Sequence, residues 1–185
     1  RLMKPIPNLD DTLEKAVSHG VFGTKMRSVI NHFDELGIRA IVDQQFAVGM
    51  QIAEHGLVPI LEPETTITAP DREQSEKLLH DLFVEKIAAL PDDAKIMIKI
   101  SIPVDNHLWD DLIDNSKVVR IVALSGGFPR DVANEKLKHC KGIIASFSRA
   151  LLEELRYQQT EEQFDASIKE AIDSIYDASV NKVAD

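Results

Sequence analysis

The feature that most constrains this chain is an alternation: five short runs of strand-forming residues, each followed by a segment with helical spacing of apolar residues. The runs are residues 21–27, 57–62, 95–102, 118–124 and 142–147. A helical pair is expected after the first run, ending near His55. The next helix is expected to open at Asp71, with Gln74 three residues on as a capping-box partner. Its apolar stripe is Leu79, Leu82, Phe83, Ile87 and Leu90. A short helix is expected around Trp109 and another over residues 130–139. After the fifth run the chain is expected to be helical to about Ser179, opening near Ser148 as a cap.

Apolar strands alternating with helices imply parallel strands covered by helices, and no linker or low-complexity tract divides the chain. That pattern alone fits an open doubly wound sheet or a closed barrel. No glycine-rich dinucleotide fingerprint follows any strand, which disfavours the Rossmann arrangement. Polar residues recur instead at the strand ends, which favours a (β/α) barrel with its site at the C-terminal face. Five units are visible where a barrel has eight.

Composition removes several function classes. The net charge of −10 argues against nonspecific nucleic-acid binding, which needs clustered Lys and Arg to neutralise phosphates. No apolar run reaches the ~18 residues of a membrane span, and the first residues have no signal-peptide core. One cysteine, Cys140, leaves no internal disulfide and fits a reducing, cytoplasmic setting. The six histidines are scattered without zinc-ligand spacing, so neither a metal nor another cofactor is expected.

Side chains alternate faces along a strand, and this sorts the polar residues. In Lys95-Ile-Met-Ile-Lys-Ile-Ser-Ile-Pro103, Ile96, Ile98 and Ile100 face the helices, while Met97, Lys99 and Ser101 face the barrel interior. A desolvated lysine near other cations loses its proton more readily and can attack a carbonyl. Alternatively Lys99 is paired with one carboxylate, or snorkels from the strand end. In Gly56-Leu-Val-Pro-Ile-Leu-Glu-Pro-Glu64, Glu62 and Glu64 share one face. Adjacent carboxylates can hold a proton between them for acid–base work, or they simply run into a solvated loop. Lys25 and Arg27 share a face in Gly23-Thr-Lys-Met-Arg27, where they bind a phosphorylated substrate, pair with Glu62 and Glu64, or both. Ser125-Gly-Gly127 and Ser146-Phe-Ser-Arg149 follow the last two strands, where barrels frequently bind phosphate.

Taken together, Gly23-Thr-Lys-Met-Arg-Ser28, the Glu-Pro-Glu stretch, the strand bearing Lys99, Leu124-Ser-Gly-Gly127 and Ala145-Ser-Phe-Ser-Arg-Ala150 resemble the class I fructose-bisphosphate aldolases, most closely the single-chain bacterial type. The motifs occur in family order and span nearly the whole chain. The resemblance implies that residues 1–185 form the C-terminal part of one (β/α)8 barrel, about its last five units, the earlier strands lying upstream of Arg1. It implies Lys99 as the Schiff-base lysine, Glu62 as acid and base with Glu64 assisting, and Lys25 stabilising charge. It further implies that Arg27 lines the site and that Ser125, Gly126 and Arg149 bind substrate phosphate. The implied reaction is reversible cleavage of fructose 1,6-bisphosphate to dihydroxyacetone phosphate and glyceraldehyde 3-phosphate, without a cofactor. Lys99 is followed by Ile-Ser-Ile-Pro where animal members have Pro-Asn-Met, so on that strand only the lysine carries over. Another lysine-dependent aldolase and a non-catalytic phosphate-binding barrel piece are the other readings. Either a complementing N-terminal segment or further copies of the chain are expected to complete the sheet.

Overall fold

The computed structural model describes residues 2–183. Helix α1 (Leu9–Ser18) precedes the first strand, and β1 (Gly23–Ile30), α2 (Glu35–Glu54), β2 (Val58–Thr65), α3 (Arg72–Ala88) and β3 (Ile96–Ser101) follow. The chain continues through α4 (Asp110–Ile113), β4 (Val118–Leu124), α5 (Arg130–Lys138), β5 (Ile144–Ala145) and α6 (Glu161–Val180). The five strands form one parallel sheet in sequence order, β1-β2-β3-β4-β5. The sheet does not close: β1 and β5 each pair with one neighbour among the described residues. The result is an open, parallel sheet with α2 and α3 packed on one face.

Alternation on the strands builds the core. Met26 and Ile30 of β1, Leu61 of β2, Ile96, Ile98 and Ile100 of β3, and Ile121 and Ala123 of β4 are all buried. They meet Val42 and Phe46 of α2 and Leu79, Phe83 and Ile87 of α3 in one apolar cluster. Phe83 sits at its centre, edge-on to Phe46 at 5.1 Å and to Trp109 at 5.6 Å. Full burial of such a side chain is worth ~1.5–3 kcal/mol, and Phe83→Ala would add a cavity for a total of ~3–5 kcal/mol. Among the described residues no helix is long and apolar enough to cross a membrane.

Several local expectations need correction. A single helix, α2, occupies the stretch assigned to a helical pair, started by the Asp34 carboxylate accepting from Gly37 N–H at 2.5 Å. Asp71 does not form a capping box: its ψ of 24° continues the turn that leads into α3, and its side chain makes no cap bond. The capping box is at Thr160, which exchanges bonds with Gln163 at the start of α6. β1 lies further along than expected, because Val21 and Phe22 are exposed while Ser28, Val29 and Ile30 pair with Pro63, Glu64 and Thr65. β2 runs on through Pro63, in the stretch where it keeps only β1 as a ladder partner, so the missing N–H is tolerated. β5 has two residues, and a chain of turns rather than a helix follows Ser148, with Leu152 N–H bonding to Ser148 O at 3.2 Å.

Candidate active site

The face of the sheet opposite the apolar core carries the charges. On β3 the buried residues Ile96, Ile98 and Ile100 alternate with Met97 and Lys99, so Lys99 leaves the strand away from the helices. On β1 the same alternation turns Lys25 and Arg27 away from buried Met26 and Ser28. On β2 it gives Glu62 and Glu64 the same direction as Ile60.

Parallel register then decides who meets whom. Lys25 is level with Ile60, and Arg27 with Glu62. Each cation reaches diagonally to the next residue on the same face. Lys25 Nζ lies 2.7 Å from Glu62 Oε2, and Arg27 Nε donates to Glu64 Oε2 at 2.5 Å. The two cations are about half exposed, so these pairs orient the carboxylates more than they stabilise the fold. Lys99 differs. Its side chain is 15% exposed and its Nζ stands 3.7 Å from Glu62 Oε1, beyond hydrogen-bond length. Glu62 is thus a buried carboxylate between two amines, one close on Oε2 and one within reach of Oε1.

At the other end the walls are loops. Ser125 to Phe128 form a turn closed by Phe128 N–H donating to Ser125 O at 2.9 Å. Gly126 and Gly127 have φ of 63° and 108°, a region that L side chains rarely enter. A Cβ on Gly126 would stand 2.5 Å from the Ile67 side chain, so the turn packs against the loop after β2 only with glycine there. Arg130, the first residue of α5, binds this loop to the turns after β5. Its N–H donates to Glu153 at 2.8 Å and its guanidinium to Glu154 at 2.6 Å. Ser146 N–H donates to Ala123 O at 2.7 Å, which seats the last segment against β4.

All eight residues singled out from the sequence, Lys99, Glu62, Glu64, Lys25, Arg27, Ser125, Gly126 and Arg149, line one cavity of about 430 Å³. Leu124, Ser146 and Ser148 complete its wall. Four cationic side chains face two carboxylates there, a local excess of positive charge in a chain of net charge −10. Excess positive charge, hydroxyls, a glycine backbone and an arginine are groups of the kind that can hold an anion. Among the described residues no group of three or more His, Cys, Asp and Glu is placed to hold a metal ion.

Sequence reasoning missed one polar pair behind this wall. Arg72 and Glu76 of α3 are both buried, joined at 2.5 Å, and Arg72 also donates to Ile102 O. Glu76 accepts from Val104 N–H at 2.8 Å, and burial raises its carboxyl above the usual range against the opposing pull of Arg72. The signal was present: positions 72, 76, 79 and 83 continue the same helical stripe, so the charges fall on the inward face.

The sequence matches no protein-family model. Among solved structures, the chain is similar to a fructose-bisphosphate aldolase from Plasmodium falciparum, crystallised in a ternary complex with TRAP and a small-molecule inhibitor. The match covers 100% of this chain and 68% of that one, with a TM-score of 0.71 and 15% sequence identity. At that identity the likeness shows an aldolase-like fold.

Proposed function

We propose that this chain carries the active site of a class I fructose-bisphosphate aldolase, acting in cytoplasmic sugar metabolism in the glycolytic or gluconeogenic direction. The observation that supports the reading most is Lys99 Nζ, mostly buried and 3.7 Å from the carboxylate of Glu62, in a cavity whose far wall suits phosphate. The unprotonated Lys99 amine adds to the ketose carbonyl. Glu62 then delivers a proton to the carbinolamine oxygen, water leaves, and a protonated imine remains. Glu62, now a carboxylate, takes the proton of the C4 hydroxyl as the bond between C3 and C4 breaks. The electron pair of that bond passes into the imine, the aldehyde leaves and an enamine remains on Lys99. Protonation and hydrolysis free the second triose phosphate. Lys25 stabilises charge beside Glu62, and Glu64, oriented by Arg27, assists. Ser125, the Gly126 backbone and Arg149 hold a substrate phosphate.

The imine serves as electron sink, so the proposed chemistry draws only on this chain's side chains. Among the described residues β1 and β5 each have a strand neighbour on one side, and the other side of each is where the remaining strands of such a barrel would pair, whether from the same polypeptide or another copy. The test is cleavage of fructose 1,6-bisphosphate by the full chain, assayed with and without EDTA. Triose phosphate formation unaffected by chelator is expected. Turnover lost in EDTA and restored by zinc would overturn the lysine-based class. Phosphate binding without any turnover would favour the non-catalytic reading.

A further inference from the structure

The two strands that carry Lys99 and Glu62 are not laddered to each other at those residues. The register between β2 and β3 pairs Ile60 with Met97 and Leu61 with Ile98, and among the described residues it goes no further. On their outer sides both strands stay paired. Glu62 to Thr65 run alongside Arg27 to Ile30, and Lys99 to Ser101 alongside Val122 to Leu124. Glu62 and Lys99 thus lie one residue beyond the last laddered pair, Leu61 with Ile98, and further on the strands are joined through a side chain.

Beyond the last laddered pair, side chains hold the ends of the two strands. Ser101 Oγ donates to Thr65 O at 2.6 Å and accepts from Thr65 N–H at 3.1 Å, so one buried hydroxyl serves both backbone groups of Thr65. Behind it, Arg72 donates to Ile102 O while Glu76 accepts from Val104 N–H, holding the segment that leaves β3. Burying an ion pair is costly, and apolar residues of the same volume would often pack as well or better. What they lack is a donor for Ile102 O and an acceptor for Val104 N–H.

We propose that Ser101, supported by Arg72 and Glu76, is a positioning residue that ties β3 to β2 beyond their last laddered pair and so sets the 3.7 Å separation of Lys99 Nζ and Glu62 Oε1. The inference rests on the Schiff-base reading above. Loosening that tie moves Glu62 away from the carbinolamine oxygen on Lys99 and slows its dehydration. It leaves the proposed phosphate-binding wall, on the turns after β4 and β5, in place. The signature is a loss in kcat and in the rate of imine formation, with KM nearly unchanged.

The experiment compares Ser101→Ala, Ser101→Thr and Lys99→Ala in the full chain, with kcat, KM, melting temperature and the rate of borohydride trapping of dihydroxyacetone phosphate. Ser101→Ala is expected to lower kcat and trapping by ~10-fold or more, since a 1 Å misplacement can cost ~10²-fold. KM should stay within about twofold, and Ser101→Thr, which keeps the hydroxyl, should recover most of the rate. If Ser101→Ala does not fold, Ser101→Cys, which keeps the volume and weakens the bond, is read in the same way. Unchanged trapping in the Ser101 variant, or a loss confined to KM, overturns the positioning role while a dead Lys99→Ala leaves the Schiff-base reading standing. Undiminished trapping and activity in Lys99→Ala overturns that reading itself, and the positioning role with it.

Discussion

The two ends of the cavity are built by different means. At one end Lys25, Arg27, Glu62, Glu64 and Lys99 stand on strands of six to eight residues whose opposite face is locked into the apolar core. At the other, Ser125, Gly126 and Arg149 stand on a glycine turn and on turns beyond a two-residue strand. The strand-built end holds charged groups in fixed mutual geometry, as a proton transfer between a buried carboxylate and a neighbouring adduct needs. The loop-built end offers backbone N–H groups, hydroxyls and one guanidinium, which tolerate small shifts because phosphate can be grasped from many directions. In the proposed reaction, the covalent chemistry would fall on the strand-built end and phosphate recognition on the loop-built one.

Substitutions should separate the two ends. The largest effect is expected at the strand-built end. Glu62→Gln removes acid–base function and should lower kcat by ~10²-fold or more while KM changes little, as read by steady-state cleavage of fructose 1,6-bisphosphate. Arg149→Ala comes next. Loss of one charge-assisted contact should raise KM for the phosphorylated substrate by roughly tenfold, with kcat much less affected. If the two variants changed kcat and KM in the same proportion, the division of labour between the ends would be wrong. Gly126→Ala should have the smallest effect on chemistry. It forces a side chain into a left-handed backbone and against Ile67, at a cost of ~1–2 kcal/mol for the backbone alone. A lower melting temperature and weaker phosphate binding, with borohydride labelling of Lys99 still complete, are expected.

The same contrast explains what was legible in the sequence. The apolar face of β3 is a run of isoleucines at every second position, so the direction of Lys99 followed from period alone. Glu62 and Glu64 were readable for the same reason, although β2 runs on through Pro63 and Glu64 to Thr65 rather than ending at Glu62. Pairing of Lys25 and Arg27 with Glu62 and Glu64 was one of the readings the sequence left open; which cation meets which carboxylate follows from the register, which no local pattern encodes. The loop-built end gave up its residue types but not its shape. A helix was expected at Ser148, yet turns follow it, tied to α5 by Arg130 with Glu153 and Glu154. Those contacts join residues more than twenty positions apart and leave no mark on local periodicity. The Thr160 capping box and the failed one at Asp71 make a related point. A similar short pattern caps only where the preceding residue is extended, as at Thr160 with ψ of 166°.

The most direct test of the central claim is to locate the covalent bond. The full chain is incubated with dihydroxyacetone phosphate, reduced with borohydride, digested and mapped by mass spectrometry. One adduct per chain is expected, on Lys99, and it should be absent from Lys99→Ala. An adduct on Lys25 or another lysine, formed while Lys99→Ala still cleaves substrate, would contradict the account.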